Sequence, residues 1–112
     1  MAITVTSHTG RVRVRFNGRT VADTTRALAL REGSYPTVLY IPRADAEMSL
    51  FTRSTRTSHC PHKGDASYYS LQVGERTAEN AVWTYETPKA EVAAIAGHLA
   101  FYPDRVDAIE EG

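Results

Sequence analysis

Apolar and polar residues alternate along much of the chain. In Arg11-Val12-Arg13-Val14-Arg15-Phe16, Val12, Val14 and Phe16 share one face and three arginines share the other. That is the period-two signature of a strand with one buried side. Asn17-Gly18 follows, a strong hairpin signal, because both central residues of a type I′ turn need positive φ. Thr20-Val21-Ala22 is expected to return as the second strand. Thr37-Val38-Leu39-Tyr40-Ile41 reads as a strand rich in β-branched and aromatic residues, stopped by Pro42. In Ala66–Val73, Tyr69, Leu71 and Val73 fall on one face and Tyr68, Ser70 and Gln72 on the other. Gly74-Glu75-Arg76 turns the chain. Ala81–Tyr85 makes a further strand, with Trp83 and Tyr85 on the same side. His98–Tyr102 and Val106–Ile109 close the series.

Other stretches are less regular. Arg26–Glu32 has helix-favouring residues, yet it is short, alternates at Leu28 and Leu30 and ends at Gly33, so a strand is expected. Met48–Phe51 is a short strand candidate, and Thr52–Ser58 is a polar connection. Residues 1–9 are expected to be a lead-in, and Glu110-Glu111-Gly112 a frayed end. After Tyr85 the period changes. Thr87-Pro88 suits a helix start, with Thr87 accepting from free amides and Pro88 at the first helical position. Glu91 falls in the first turn, where the helix dipole favours it. Val92 and Ile95 form an apolar stripe, and Gly97 is a stop. About seven to nine short strands with close turn signals and one short helix near the C-terminus describe a mainly β fold. The expected architecture is a small bent antiparallel sheet or barrel, since a parallel sheet would need repeated crossover helices. A single domain is expected over residues 10–112.

Composition narrows the function classes. With 112 residues the chain fits one core. Thirteen Lys+Arg balance thirteen Asp+Glu, so the net charge is zero with histidines neutral. Nucleic-acid binding through bulk charge is therefore disfavoured, although Arg11, Arg13 and Arg15 would still form a local stripe. One cysteine excludes an internal disulfide and a four-cysteine zinc site. A free thiol suits a reducing compartment, so a cytoplasmic location is expected. The N-terminus lacks a basic segment followed by an apolar run, and no run of about 18 apolar residues exists, so neither a secretory signal nor a membrane span is expected.

Reactive groups concentrate in one stretch, Thr57-Ser58-His59-Cys60-Pro61-His62-Lys63-Gly64-Asp65-Ala66-Ser67-Tyr68-Tyr69. Cys60 would be a nucleophile if a nearby cation or histidine base lowered its pKa; otherwise it is a small packing group. Cys60 and His62, flanking Pro61, would give two metal ligands of mixed softness, with His98 or Asp45 needed to complete a set. Surface histidines on a loop are the simpler reading, and no metal is assigned. Lys63 beside Gly64 offers a cation next to a backbone that approaches a ligand closely. Arg43 offers bidentate contact to a carboxylate or phosphate, and Asp45 would either hold it or share the site. The alternative is that Arg43–Asp45 and Lys63–Asp65 pairings simply tether loops. Tyr40, Tyr68, Tyr69, Trp83, Tyr85 and Tyr102 supply aromatic surface with polar tips, the usual lining of a small-molecule site. A one-residue error in strand phase would reverse which of them face a cleft.

Five segments occur together in order: Val21-Ala22-Asp23, Tyr40-Ile41-Pro42-Arg43-Ala44-Asp45, Cys60–Tyr69, Ala81-Val82-Trp83-Thr84-Tyr85 and Gly97-His98-Leu99-Ala100-Phe101-Tyr102. This combination resembles the bacterial "domain of unknown function 427" family over roughly residues 10–109. The resemblance implies a β-tent, a strongly bent antiparallel sheet folded over a cleft. Related β-tent domains hold a structural zinc through paired CxxC motifs, which this chain lacks, so no zinc or other cofactor is carried over. A nucleotidyltransferase label attached to the family finds no glycine-rich phosphate loop or paired acidic metal motif here.

The favoured expectation is a small-ligand-binding domain. Trp83, Tyr85 and Tyr102 would wall its cleft, with Tyr40, Tyr68 and Asp45 contributing and Arg43, Lys63 and Cys60 at the mouth. The ligand would be an unidentified small molecule, with an anion as one option. The alternatives are a thiol-dependent enzyme using Cys60, and an interaction module without a small ligand, such as a homodimer built on the arginine-rich first hairpin.

Overall fold

The computed structural model describes residues 2–112, which form ten strands in three antiparallel sheets. β1 (Ile3–Ser7), β4 (Leu28–Glu32) and β5 (Val38–Tyr40) make the first sheet, in the order β1-β4-β5. β2 (Val12–Phe16), β3 (Arg19–Thr24) and β10 (Ala108–Glu111) make the second, in the order β10-β2-β3. β6 (Phe51–Cys60), β7 (Gly64–Val73), β8 (Arg76–Thr84) and β9 (Leu99–Phe101) make the third in sequence order. The expected mainly β, bent antiparallel architecture is what the chain adopts.

The third sheet is the wall between two cores. On one face lies the row Tyr69–Val82–Phe101, and on the other the row Tyr68–Trp83–Ala100, as the strand registers place them. Tyr69, Leu71, Val82 and Phe101 pack with Val12, Val14, Phe16 and Ile41 in the first core. Tyr68, Ala66 and Ala100 pack with Leu30, Tyr40, Tyr85, Val92 and Ile95 in the second. The bend needed to serve both comes from interrupted ladders. The β6–β7 register shifts between Arg53 and Thr57, and the β7–β8 register shifts between Tyr69 and Leu71. Asn80 takes φ 50 at the latter shift, and its amide donates to Ser70 Oγ at 3.1 Å. Extra residues on one strand bend it and increase its twist, which curls the sheet. Backbone bonds between Ile41 and Leu99, at 2.8 and 2.7 Å, tie β5 to the rim of this wall.

The first hairpin forms as the sequence predicts, with Asn17 at φ 50 and Gly18 at φ 76. Five expectations are corrected. The lead-in carries a strand: Ile3–Ser7 pairs along its length with Leu28–Glu32, and its alternating Ile3-Thr4-Val5-Thr6 is the pattern responsible. Met48–Leu50 is a 3-10 turn, and the polar stretch after it is the ten-residue β6. β6 is an edge strand with few buried residues, so its threonines supply β propensity without an apolar period. The expected C-terminal helix is two short 3-10 turns within Ala90–Ile95, broken at Val92 (φ −124, ψ 27), and no side chain caps its start. The acidic end pairs as β10, with Glu110 opposite Arg13 and Glu111 opposite Val12.

Candidate functional site

The second face of the wall opens into a cleft of about 240 Å³. Its floor and sides come from both layers. Tyr68 and Trp83 are directly paired across β7 and β8, and Tyr102 follows β9. Leu30, Val38 and Tyr40 reach in from the sheet opposite. Tyr85 lies just past the end of β8 and packs in the same core. The aromatic groups brace one another. Trp83 donates from Nε1 to the Tyr40 hydroxyl at 3.2 Å, and their rings meet edge to face at 6.3 Å. Trp83 and Tyr102 rings lie 4.5 Å apart with planes inclined by 46°. Such pairs add about 0.5–1.5 kcal/mol beyond their buried area. Tyr40, Tyr68 and Tyr85 are buried, while Trp83 and Tyr102 keep an open side.

One ion pair belongs to this cleft. Lys63 Nζ donates to Glu32 Oε1 at 2.8 Å, and both side chains are only 13% exposed. Lys63 sits in the turn between β6 and β7, and its carbonyl accepts from the Lys89 amide at 2.9 Å. Gly64 supplies the backbone conformation that follows this turn. It has φ +112, and a Cβ there would stand 3.5 Å from the Thr87 carbonyl oxygen. Burial works against the Lys63 ammonium, but the Glu32 hydrogen bond and nearby anionic groups outweigh it, so its pKa is raised.

The phenols differ in character. Burial pushes Tyr40 and Tyr85 up. Tyr102 is pushed up to about 12 by burial and then by its interaction with Tyr68. Tyr68 is lowered: burial opposes its ionisation, but Ser58, Tyr102 and Arg56 together outweigh that. The Ser58 hydroxyl lies 2.8 Å from the Tyr68 hydroxyl, and the Arg56 guanidinium stands 4.9 Å from the ring centre. The cleft therefore offers neutral hydroxyls, one internally balanced ion pair and aromatic faces.

Of the residues expected in the site, Tyr40, Lys63, Tyr68, Trp83, Tyr85 and Tyr102 line this cleft together. Cys60 does not line it; the thiol is partly buried against the second core at the end of β6. Arg43 and Asp45 lie elsewhere. Arg43 donates to the Tyr69 hydroxyl at 2.7 Å and faces an open hollow with Arg53, Glu86 and Thr84. Asp45 is held by Thr24 Oγ1 at 2.7 Å and by Arg26 at 3.0 Å, so it braces the β3–β4 connection rather than Arg43. The Thr24 hydrogen bond first, and Arg26 next, keep its carboxyl below the usual range. His59 pairs with Asp65 at 2.7 Å on the surface. Among the described residues no three His, Cys, Asp or Glu side chains come together as a metal set. Sequence reasoning missed Glu32, Tyr35 and Pro36 in the lining. Glu32 meets Lys63 only because β4 folds over the wall, a contact without local signal. Tyr35-Pro36 reads as a turn, and nothing in it marks a rim.

Fold and cleft define a small all-β domain of three antiparallel sheets with an aromatic pocket on one side of the central wall. The chain belongs to the family described as a domain of unknown function (DUF427), whose model matches residues 4–112. No curated protein matches the chain. Among the described residues no helix is long and apolar enough to cross a membrane.

Proposed function

We infer that this chain is a small-molecule-binding domain whose ligand occupies the aromatic cleft. The supporting observation is the convergence of Tyr40, Tyr68, Trp83, Tyr85 and Tyr102 around a cavity that also holds the Lys63–Glu32 pair. An apolar cavity with a few fixed polar groups is the usual makeup of a ligand site. At about 240 Å³ the cavity is smaller than the roughly 300–1,000 Å³ of drug-sized sites, so the ligand headgroup is compact. Lys63 is already neutralised by Glu32, so the cleft favours a flat, uncharged, hydrogen-bonding group over a strong anion. The anionic expectation rested on Lys63 and Arg43 together; Lys63 lines the cleft but is paired with Glu32, and Arg43 lies on the other face of the wall. The free thiol of Cys60 and the family resemblance support a place in the bacterial cytoplasm.

Trp83 is the sole tryptophan and lies in the cleft wall, so its emission reports occupancy. Titration with uncharged aromatic amides and heterocycles is expected to shift that emission saturably and to raise the unfolding temperature. Absence of both responses across such a panel would reject the reading. Thiol catalysis has weaker support, because Cys60 is set among packing residues behind the cleft rather than in its lining.

A further inference from the structure

The cleft has a neighbour. A groove of about 580 Å³ runs beside it, lined by Leu39, Ile41, Phe101 and Ile109 among others. Cleft and groove share Glu32, Tyr35, Pro36, Val38 and Trp83, so they meet across one indole and one turn. Their chemistry differs. The cleft presents phenol hydroxyls and the Lys63–Glu32 pair, whereas the groove is bounded chiefly by aliphatic and aromatic side chains, with Glu32 and Glu111 as its carboxylates. Tyr35 is the one exposed large hydrophobic residue among those described, at 64% exposure, and it stands on the shared turn. An exposed tyrosine beside two concavities gains contacts when a ligand bridges them.

We propose that the two cavities form one binding site for an amphipathic molecule, with a compact uncharged polar head in the cleft and an aliphatic tail in the groove. The proposal rests on the cleft being a ligand site. The lining shared at Trp83 and Val38 sets the occupant's shape, because a tail attached to a head on Tyr68 and Tyr102 would pass the indole to reach the groove. Charge fixes its terminus. Among the described residues no Lys or Arg lines the groove, Glu32 is already matched by Lys63 and Glu111 adds a carboxylate, so the tail is an uncharged chain rather than the carboxylate of a fatty acid.

The test is a homologous series on the whole chain: benzamide, N-butylbenzamide and N-octylbenzamide, followed through Trp83 emission. Each methylene that enters the groove is expected to tighten binding about fourfold, until the groove is filled. Ile109→Phe, which narrows the groove, is expected to abolish the chain-length gain while leaving benzamide affinity within twofold. Since the series is measured on the unaltered chain, a variant that fails to fold does not decide the outcome. Equal affinity for all three compounds would overturn the tail compartment and leave the cleft reading standing. No binding by any of them would overturn both. A chain-length gain that vanishes as protein concentration rises, with dimer in sedimentation, would assign the groove to a second copy and overturn the proposal.

Discussion

Lys63 and Glu32 meet at 2.8 Å although they are 31 residues apart and lie in different layers of the fold. The turn between β6 and β7 and the end of β4 are therefore locked together at the cleft. Removing one partner strands the other charge in a poorly hydrated place. Glu32→Gln is expected to cost roughly 1–3 kcal/mol, less than the 3–5 of a fully buried pair. Glu32→Gln with Lys63→Gln should recover part of that loss. Urea unfolding of the two singles and the double gives the coupling directly, and strict additivity would show that the pair does not cooperate.

The cleft should also fix the alkaline limit of stability. Tyr40, Tyr85 and Tyr102 have folded pKa values above their ordinary 10.0, and Lys63 lies above 10.5. Each raised group contributes stability that is complete below its unfolded pKa and lost as pH climbs toward the folded one. Tyr68, lowered from 10.0, works in the opposite sense. Three phenols and an ammonium outweigh one phenol, so stability is expected to hold through neutral pH and to fall from about pH 10 upward. Tyrosinate absorbance and circular dichroism followed together check this. Full phenol ionisation well before unfolding would contradict it.

Gly64→Ala probes the hinge of the site. With φ +112, a side chain there costs roughly 1–3 kcal/mol in strain even without a steric clash. The Lys63–Lys89 backbone bond at 2.9 Å should loosen. The expected signature is a lower unfolding midpoint, together with weaker benzamide binding, since Lys63 is carried on the same turn. An unchanged midpoint would mean that the turn relaxes freely.

Trp83→Phe removes the donor that Tyr40 accepts from at 3.2 Å and replaces the indole inclined against Tyr102 with a smaller ring. A loss of about 2–3 kcal/mol is expected, from the vacated volume and the unpaired Tyr40 hydroxyl. Denaturant titration followed by circular dichroism measures it, and a cost under about 0.5 kcal/mol would indicate that the indole is only a rim contact.

Iodoacetamide separates packing from thiol chemistry. Cys60 is partly buried and packs against the second core. Alkylation is expected to be slower than that of free cysteine at the same pH and to accelerate in urea. Faster reaction in the native protein would restore a catalytic role for the thiol.

How legible the molecule was depended on where each signal resides. Strands with one buried face, such as Val12–Phe16, and turns with demanded φ, such as Asn17-Gly18, show themselves locally. β6 did not, because an edge strand has only one neighbour and few buried side chains to impose a period. The segment after Pro88 carries helix punctuation, but no side chain caps it and the turns break at Val92. In the site, the aromatic members were readable because strand alternation places Tyr68 opposite Trp83. The separation of Arg43 was not, because only the tertiary structure shows that its guanidinium donates to Tyr69, the residue that alternation turns away from Tyr68. Glu32 was invisible for a related reason: its role arises only when two sheets close on each other.

Tyr68 and Tyr69 are joined by one peptide bond, yet their side chains belong to different cores. Along β7, β8 and β9 this division repeats, with Trp83 beside Val82 and Ala100 beside Phe101. Evolution thus has two largely separate dials on a single backbone. One row packs in the second core and brings Tyr68 and Trp83 to the cleft, and the interleaved row packs in the first core. A substitution in one row therefore meets a different set of neighbours from a substitution one residue away.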